Sequence, residues 1–338
     1  MKMQSLLARR WGIFKNNRRA YYSLWIFIFL LVISSSANFI ANDKPIFIAK
    51  DSKFYFPIFI KYSEKVFGGD FETEARYKDP EVLSLLKDAF IVWPLIPYSY
   101  DTIIEDLETP APVIWSKNHL LGVDDQARDV LARLLYAYRV SLWFGILLSF
   151  FSVVIGVSVG ALQGFYGGKI DLLGQRFVEI WSGVPLLFLI IILSSFVTPS
   201  FWWILAIVLL FSWMSLVGVV RAEFLRNRNM EYIKIARVLG ARDFQIIFKH
   251  LLPNAMVATI TYIPFIASGS IATLVSLDFL GFGMPVGSAS LGELLQQGKN
   301  NISDPFLAIV GFFATSLLLG VLVFIGEGVR DAFHAKSR

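Results

Sequence analysis

The sequence predicts an all-α integral membrane protein with six transmembrane helices and a small mixed α/β extracytoplasmic insertion between the first two helices. Of its 338 residues, 56% are hydrophobic and 17% are charged, whereas soluble domains carry about 25% charged residues. Several uncharged stretches reach the length of about 20 apolar residues that a helix needs to cross a bilayer. Basic residues are concentrated between some of these stretches and acidic residues between others, which is typical of a protein with two different aqueous sides.

Five stretches without Asp, Glu, Lys or Arg define the predicted spans. The third is about twice as long as one span needs to be, and Pro199 is expected to divide it into two helices. The first stretch is longer than the apolar core of about 7–15 residues in a signal peptide, so it is predicted to be an uncleaved anchor. The stretches are residues 20–42, 140–168, 180–220, 251–277 and 305–326.

The placement of Lys and Arg predicts that both termini are cytoplasmic. Residues 1–19 are basic and amphipathic, and they are expected to lie on the inner membrane surface before transmembrane helix 1, residues 20–42. The remaining spans form a five-helix core, residues 140–328, and return the tail, residues 329–338, to the cytoplasmic side. Residues 221–250 also fall inside and carry more basic than acidic residues.

The extracytoplasmic segment, residues 43–139, is rich in acidic residues and is predicted to form a small domain. Residues 46–48 and 54–56 have the composition of strands around a Lys-Asp-Ser turn. Residues 80–90 are predicted to be a helix, and the Pro-rich residues 93–97 are predicted to be extended. A loosely ordered insertion is the alternative.

Several classes of chemistry are excluded by the sequence. The chain has no cysteine, and its three histidines, His119, His250 and His334, are scattered, so no metal site is expected. No phosphate-binding loop or nucleophile motif is present, so no catalytic residue is predicted. The net charge of +5 is interpreted as cytoplasmic anchoring and not as binding to nucleic acid.

The lack of charged residues in the predicted spans bears on the class of transporter. The spans contain no Asp, Glu, Lys or Arg, which argues against a proton-coupled carrier. A secondary transporter or channel for a small solute, or a membrane-embedded enzyme, nevertheless stays an alternative hypothesis.

Three acids before the second span could suggest a metal or catalytic site, but they are predicted to be a solvated helix cap. They are Asp124, Asp125 and Asp129.

Residues 229–254 are predicted to form two short amphipathic helices joined at Gly240. Asn229 can cap the first helix, and Gly240 can end it in a left-handed conformation. Asp243 can cap the second helix. The predicted apolar faces follow helical spacing and comprise Tyr232, Ile235, Ala236 and Leu239, then Phe244, Ile247, Phe248 and Leu251. Such a pair could dock into a groove of a partner protein or lie on the lipid surface, and the residues alone do not decide between them.

The same segment resembles the EAA motif of binding-protein-dependent ABC permeases. The resemblance rests on Glu231-Tyr232-Ile233-Lys234-Ile235-Ala236-Arg237-Val238-Leu239-Gly240, followed by Leu252-Pro253-Asn254. Ile235 and His250 depart from the motif, whereas the spacing from Gly240 to Leu252 is retained. The resemblance implies that the following residues couple the chain to partner ATPases: Glu231, Tyr232, Ala236, Arg237, Gly240, His250, Leu252 and Pro253.

Other segments extend this resemblance along the chain. Residues 121–129 are similar to an L-G-T-D-x-x-G-R-D element of the dipeptide/oligopeptide permeases, OppC and DppC, with Val123 and Ala127 replacing the Thr and the second Gly. The turn that would depend on this glycine is therefore in question. Residues 276–293 resemble the family's outer loop, and the insertion is similar to the YejE branch.

The resemblance implies a permease subunit that forms half of the pathway for peptides or peptide-like compounds across the bacterial inner membrane. Its implied partners are a homologous second permease, two ATP-binding-cassette domains, separate or fused, an extracytoplasmic substrate-binding protein and membrane lipid. ATP and Mg would bind those ATPase partners. This chain is therefore expected not to be an enzyme and to carry no cofactor of its own.

Two groups of small residues in the spans are candidates for helix packing and for the translocation path. Gly156, Gly160 and Gly164 are spaced by four residues, which allows close helix approach, either moving or static. Small and polar residues in the fifth span could border the path or form hydrogen bonds between helices. The path candidates are Ser268, Ser270 and Thr273.

Overall fold

The computed structural model of the chain describes residues 2–105, 107, 110–114, 119–285, 287–302 and 305–334. Residue 1 of the predicted N-terminal segment and residues 335–338 of the predicted tail lie outside these ranges. The first helices are α1 (Lys2–Asn16), α2 (Arg18–Ser35), α3 (Ala37–Ile40), a 3-10 helix (Glu64–Phe67) and α4 (Pro80–Leu85). They are followed by α5 (Val130–Tyr166), α6 (Gly168–Ser182), α7 (Leu186–Ser194), α8 (Phe201–Ser212), α9 (Met214–Asn227), α10 (Glu231–Val238) and α11 (Asp243–Gln245). The last are a π-helix (Ile246–Leu251), α12 (Leu252–Phe279), α13 (Leu291–Asn300) and α14 (Phe306–His334).

The helices supply the membrane spans. Within the described ranges, five helical segments are long and apolar enough to cross a membrane, and a bent pair can supply a sixth. The five segments are Arg18–Ser35, Val130–Tyr166, Phe201–Asn227, Asp243–Phe279 and Phe306–His334. The chain is therefore mostly helical, as the sequence predicts.

The bent pair is α6 and α7, of which only α7 and the last residues of α6 fall within the predicted third stretch, 180–220, because α6 already begins at Gly168. The two helices meet at an angle of 64°. Pro185 precedes α7 in an extended conformation, and the residue before a proline is sterically disfavoured in a helix. The break predicted around Pro199 is present as well, because Ser200 begins α8 by accepting a hydrogen bond from the Trp203 backbone N–H at 3.3 Å. The third span is therefore bent, which the hydropathy pattern did not indicate.

The chain divides into two compact units. The first comprises Met1–Ile28, Ser141–Pro285 and Phe313–Arg338, and the second comprises Phe29–Val140 and Val286–Phe312. In the first unit, the N-terminal helices pack against the end of α14. Phe14 and Ala20 pack against Ala332 in a buried cluster, and the Asn17 side-chain amide donates a hydrogen bond to the Asp331 carboxylate at 3.3 Å.

The second unit contains the insertion, which has a small antiparallel sheet. Its strands are β1 (Phe47–Lys50), β2 (Lys53–Tyr55) and β3 (Phe90–Val92), in the order β2-β1-β3. Asp51 and Ser52 connect β1 to β2 with positive φ values of 51° and 58°. The predicted hairpin is therefore present, but Phe90 belongs to a strand and not to the predicted helix 80–90, because its backbone pairs with Ala49.

The insertion encloses its own apolar cluster. Ile48 of β1 and Val82 of α4 are buried there together with the aromatic side chains of Phe67 and Tyr77. Pro80 occupies the first turn of α4, where its missing N–H leaves no helical hydrogen bond unmade.

Two of the three acidic residues before the second span, Asp124 and Asp129, are buried and do not form the predicted solvated cap, whereas Asp125 is half-buried. Asp124 is 0% exposed and Asp129 is 2% exposed. Asp129 does cap α5, since its carboxylate accepts a hydrogen bond from the Ala132 N–H at 2.8 Å, and it also contacts His119 at 2.8 Å. The carboxylate of Asp124 instead pairs with Arg128 and Arg133, and these buried ion pairs allow the charges to leave water.

Candidate functional site

The segment 229–254 begins with a short helix whose start differs from the prediction by one residue. Met230, and not Asn229, precedes α10, and no side chain caps the helix. Glu231 is the first helical residue and is exposed. Its carboxylate lies in the first turn, where the helix dipole stabilises a negative charge.

Gly240 ends α10 as the sequence predicts. Its φ is +83°, a left-handed conformation that glycine adopts without a steric cost. The Gly240 N–H donates to the Arg237 carbonyl, and the Ala241 N–H donates to the Ala236 carbonyl, both at 3.0 Å. This pair of hydrogen bonds is a Schellman motif, which reverses the chain direction after Leu239.

The second helix of the segment is not separate from the fifth span. Arg242, and not Asp243, precedes α11, and its backbone N–H donates to the Gln245 side-chain oxygen at 3.0 Å. From Asp243 the helix continues through the π-helix into α12 and ends at Phe279. Pro253 lies inside this continuous helix, directly after the π-helix, and does not end it.

Four isoleucine and leucine side chains anchor the segment to the rest of the first unit. Ile233 and Ile246 are 0% exposed, and Leu251 is 1% exposed. With Ile247, they belong to one buried cluster with residues of α5 and α9 such as Phe165 and Phe224. Burying such a side chain contributes about 1.5–3 kcal/mol, so the cluster holds α10 and the π-helix firmly against α5 and α9.

Polar contacts connect the two arms of the segment to each other and to α5. The Asn254 side-chain amide donates a hydrogen bond to the Tyr232 hydroxyl at 3.2 Å. The Arg237 guanidinium lies 5.6 Å from the ring centroid of Phe165. Arg228, just before α10, donates to the carbonyls of Gly164 and Phe165 at 3.1 and 3.3 Å, where a cation complements the helix C-terminus.

The opposite side of the segment presents an exposed set of apolar side chains, which we call the apolar surface. It lies on both arms, before and after the Gly240 turn. The ring centroids of Phe244 and Phe248 lie 4.3 Å apart, with the ring planes tilted by 37°. The members and their exposed fractions are Ile235 59%, Val238 87%, Leu239 80%, Phe244 68% and Phe248 52%. A basic, polar segment that exposes so many apolar groups is typical of a docking site.

The structure places the other candidate residues of the segment as follows. Ile235, which replaces an alanine of the EAA motif, is 59% exposed, so most of its extra bulk faces outward. His250 is half-buried within the π-helix, and its carbonyl accepts a hydrogen bond from Asn254 at 3.3 Å. Leu252 is half-buried against the anchoring cluster, and Pro253 is exposed.

The glycine ladder of α5 lies directly against α9. A Cβ atom on Gly156 would come within 2.6 Å of the Trp213 carbonyl oxygen, and one on Gly164 would come within 2.7 Å of the Arg221 carbonyl oxygen. Gly160 has a similar distance of 2.9 Å to a carbonyl of α9. The three glycines therefore allow backbone contact between α5 and α9. Whether this contact moves during function stays a prediction.

The hydroxyl candidates of the fifth span form hydrogen bonds within their own helix. Ser270 is 5% exposed and donates to the Ile266 carbonyl at 2.7 Å. Thr273 donates to the Gly269 carbonyl at 2.9 Å. Ser268 is half-buried on the same helix. That these residues border the translocation path stays a prediction.

Two of the four anchoring residues, Ile233 and Ile246, were not identified from the sequence, whereas Ile247 and Leu251 belong to the predicted apolar face of the second helix. Ile233 and Ile246 lie outside the apolar stripes chosen from helical periodicity, although their isoleucine side chains are a signal for burial. Arg221 was identified as a basic residue, but its ion pair with Asp171 of α6, with an N–O distance of 2.7 Å for Nη2 and Oδ2, was not. Across the described ranges, no group of three or more His, Asp or Glu side chains is arranged to hold a metal ion.

Comparison with known proteins places this geometry in a family. The family described as the binding-protein-dependent transport system inner membrane component matches residues 134–338. The inner membrane ABC transporter permease protein YejE of Escherichia coli strain K12 is 54% identical over 96% of this chain and 95% of its own length. The peptidoglycan transport system permease protein YejE of Agrobacterium fabrum is 47% identical over 97% of this chain and 93% of its own length.

More distant proteins agree with this assignment. The oligopeptide transport system permease protein OppC of Haemophilus influenzae is 34% identical over 76% of this chain and 85% of its own length. A chain of the inward-facing MetNI methionine ABC transporter has a TM-score of 0.50 and 18% identity, over 59% of this chain and 96% of the solved chain, and it shares the fold. The resemblance seen in the sequence is confirmed, and the chain belongs to the family of binding-protein-dependent transport system inner membrane components.

Proposed function

We propose that this chain is the channel-forming permease subunit of an ATP-binding-cassette importer and forms half of a transmembrane pathway with a homologous second permease. The observation that carries the proposal is the apolar surface of Ile235, Val238, Leu239, Phe244 and Phe248, which is exposed on a rigidly anchored segment. Each member would gain free energy by leaving water, at about 25 cal/mol per Å² of apolar area. A groove on a partner ATPase would provide that environment.

The anchoring of the segment explains how docking could be coupled to transport. Asp243 to Phe279 form one continuous helix, so a force on Phe244 acts directly on the fifth span. Ile233 of α10 is buried against α5 and α9, so the first arm acts on the second and fourth spans. When two ATPases close on ATP and Mg, the spans would switch between two packed arrangements.

The orientation of the chain follows from the same proposal. α1 packs against the end of α14, which supports both ends lying on the same side of the membrane and an even number of crossings. Six crossings satisfy this requirement when the bent pair of α6 and α7 is one span. The basic residues of the N-terminal segment then place both ends, together with segment 229–254, in the cytoplasm. The insertion would face an extracytoplasmic substrate-binding protein.

The proposed substrate is a peptide or a peptide-like compound. The names of two relatives refer to transport systems for peptidoglycan and for oligopeptides. Both materials contain amide-linked amino acids. Uptake of a labelled oligopeptide and of a labelled muramyl peptide, each in cells with and without this chain, would test the substrate class. If deletion of this chain reduced the uptake of neither compound, the proposed substrate class would be contradicted.

Site-specific crosslinking tests the docking proposal. The chain contains no cysteine, so single variants Ile235→Cys and Phe244→Cys can be paired with cysteines around the groove of the co-expressed ATPase. We expect disulfide crosslinks at both positions, and their yield should change when ATP is added. Phe59→Cys is the matched control, because Phe59 is an exposed phenylalanine of the insertion and should not crosslink. A complex that copurifies but crosslinks at neither 235 nor 244 would exclude this docking surface.

A further inference from the structure

The small sheet of the insertion is apolar on both of its faces. Ile48 pairs with Tyr55 and with Ile91 in the strand register, and these three side chains pack into the buried cluster of the insertion. Ala49 pairs with Phe54 and with Phe90. Because side chains alternate along a strand, Phe54 and Phe90 lie on the opposite face, which faces away from the cluster.

Phenylalanine side chains cover this second face, and we call them the aromatic face. The ring of Phe47 lies 5.5 Å from that of Phe54 and 5.4 Å from that of Phe56. The exposed members are Phe54 68%, Phe56 43%, Phe59 69% and Phe90 66%. Since one aromatic side chain carries about 150–250 Å², the face presents several hundred Å² of apolar area. A patch of this size on a soluble surface is a sign of an interaction site.

The aromatic face is continuous with the outer end of the first membrane span. The ring of Phe59 packs against that of Phe39 in α3, with centroids 5.6 Å apart. Phe39 lies seven residues after Val32, or about 10 Å along a helix. Phe29 and Val32 of α2 are each 60% exposed, and on a membrane-spanning helix such side chains face lipid. A path of exposed apolar groups therefore leads from the span to the sheet.

We propose that the aromatic face lies in the outer interface of the membrane and contacts phospholipid. Aromatic side chains are enriched at this depth of a bilayer, where the headgroup region still offers water and charge. The insertion is thereby tied to the membrane surface beside the first span.

Spin labels on the full-length chain test this contact directly. Phe54→Cys and Phe90→Cys would each be labelled in chains reconstituted into phospholipid nanodiscs. Collision rates with oxygen, which concentrates in lipid, and with a water-soluble nickel complex would then be measured. Ser84→Cys is the matched control, because Ser84 is exposed on α4, whose Val82 packs into the cluster on the far side of the sheet.

The proposal requires that labels at 54 and 90 collide more with oxygen and less with nickel than the label at 84 does. Nickel collisions equal to those at position 84 would overturn it, because the face would then lie in water. Low collision rates with both reagents would also overturn it, since the face would then be covered by protein. Each labelled chain is compared only if its thermal unfolding matches that of the unlabelled chain.

Discussion

The Arg128 guanidinium donates a hydrogen bond to the Glu293 carboxylate at 3.0 Å and so joins two segments that are 165 residues apart. Arg128 also donates to Asp124 at 2.9 Å, and Arg133 pairs with Asp124 and Glu293. Arg133 is 0% exposed. Two buried cations therefore balance the buried Asp124 and the partly exposed Glu293, and these ion pairs tie the loop 121–129 to α13.

Removing one member of this network should strongly destabilise the second unit. Glu293→Gln leaves two buried guanidinium groups facing one carboxylate, and breaking a buried pair costs about 3–5 kcal/mol. Thermal unfolding of the purified chain would measure the loss. Arg128→Met completes a double-mutant cycle. The variant that carries both substitutions should lose less unfolding free energy than the two single variants lose together. Additive losses would show that Arg128 and Glu293 do not interact in solution.

A second prediction concerns Ala127, which stands where the family element has glycine. The turn is retained, since Ala127 has a φ of +59° and its N–H donates to the Asp124 carbonyl at 3.1 Å. A left-handed conformation costs a non-glycine residue about 1–2 kcal/mol. Ala127→Gly should therefore stabilise the chain by about 1 kcal/mol, as measured by thermal unfolding. Ala137→Gly, inside α5, should instead destabilise it by about 1 kcal/mol.

The spans and their limits were predictable to different degrees. Hydropathy found every apolar stretch, because a lipid-facing helix must be uncharged over its length. It placed the second span at residue 140, whereas α5 begins at Val130. The criterion stopped at Arg139, whose guanidinium donates a hydrogen bond to the Asn38 side chain at 3.0 Å, and it also excluded Arg133, whose charge is balanced by Glu293 and Asp124. Such a partnership depends on tertiary structure and leaves no local signal.

The candidate site was predictable as a segment but not in its packing. The Gly240 turn followed from the chemistry of glycine and is present. Periodicity could not decide which side of α10 is buried, because Ile233 and Ile235 are equally apolar and lie on different sides. The structure buries Ile233 and exposes Ile235, since α5 and α9 supply a cluster for one side only.

The difference between Ile233 and Ile235 gives a matched pair of variants. Ile233→Ala removes a fully buried side chain and should destabilise the chain by about 2–5 kcal/mol. Ile235→Ala removes an exposed side chain and should change stability by about 0.5 kcal/mol or less, while it weakens docking to the ATPase. Thermal unfolding and copurification with the ATPase would separate the effects. Equal loss of stability in both variants would contradict the assigned burial.

Acid should weaken the insertion through Glu74. Hydrogen bonding to Lys44, opposed by partial burial and aided by the charges of Lys44 and Lys61, lowers the pKa of Glu74 below its ordinary value of 4.5. A carboxyl with a lowered pKa contributes stability above the pKa of the unfolded state. This contribution is lost as the pH falls from about 4.5 through the lower, folded-state pKa.

Limited proteolysis of the insertion at a series of pH values would measure this loss. In Glu74→Gln, the rate of proteolysis should depend less on pH, because the titration of Glu74 is removed. At neutral pH this variant should be cleaved faster than the original chain, at a rate closer to that seen in acid. An unchanged pH profile in Glu74→Gln would show that other groups cause the acid sensitivity.

The last prediction tests whether the Gly240 turn transmits coupling. A Cβ atom on Gly240 would meet no other atom within 4 Å, so a larger residue creates no collision with neighbouring groups. The strain instead lies in the backbone. Val at a φ of +83° is disfavoured by at least about 1–2 kcal/mol, so the variant favours a turn with a different backbone conformation. Gly240→Val should therefore insert normally but lose both uptake and transport-stimulated ATPase activity. Gly240→Asn is the matched control, since asparagine tolerates a left-handed backbone and should retain most of both activities. Unchanged uptake and ATPase activity in Gly240→Val would mean that the direction of the turn does not matter for coupling.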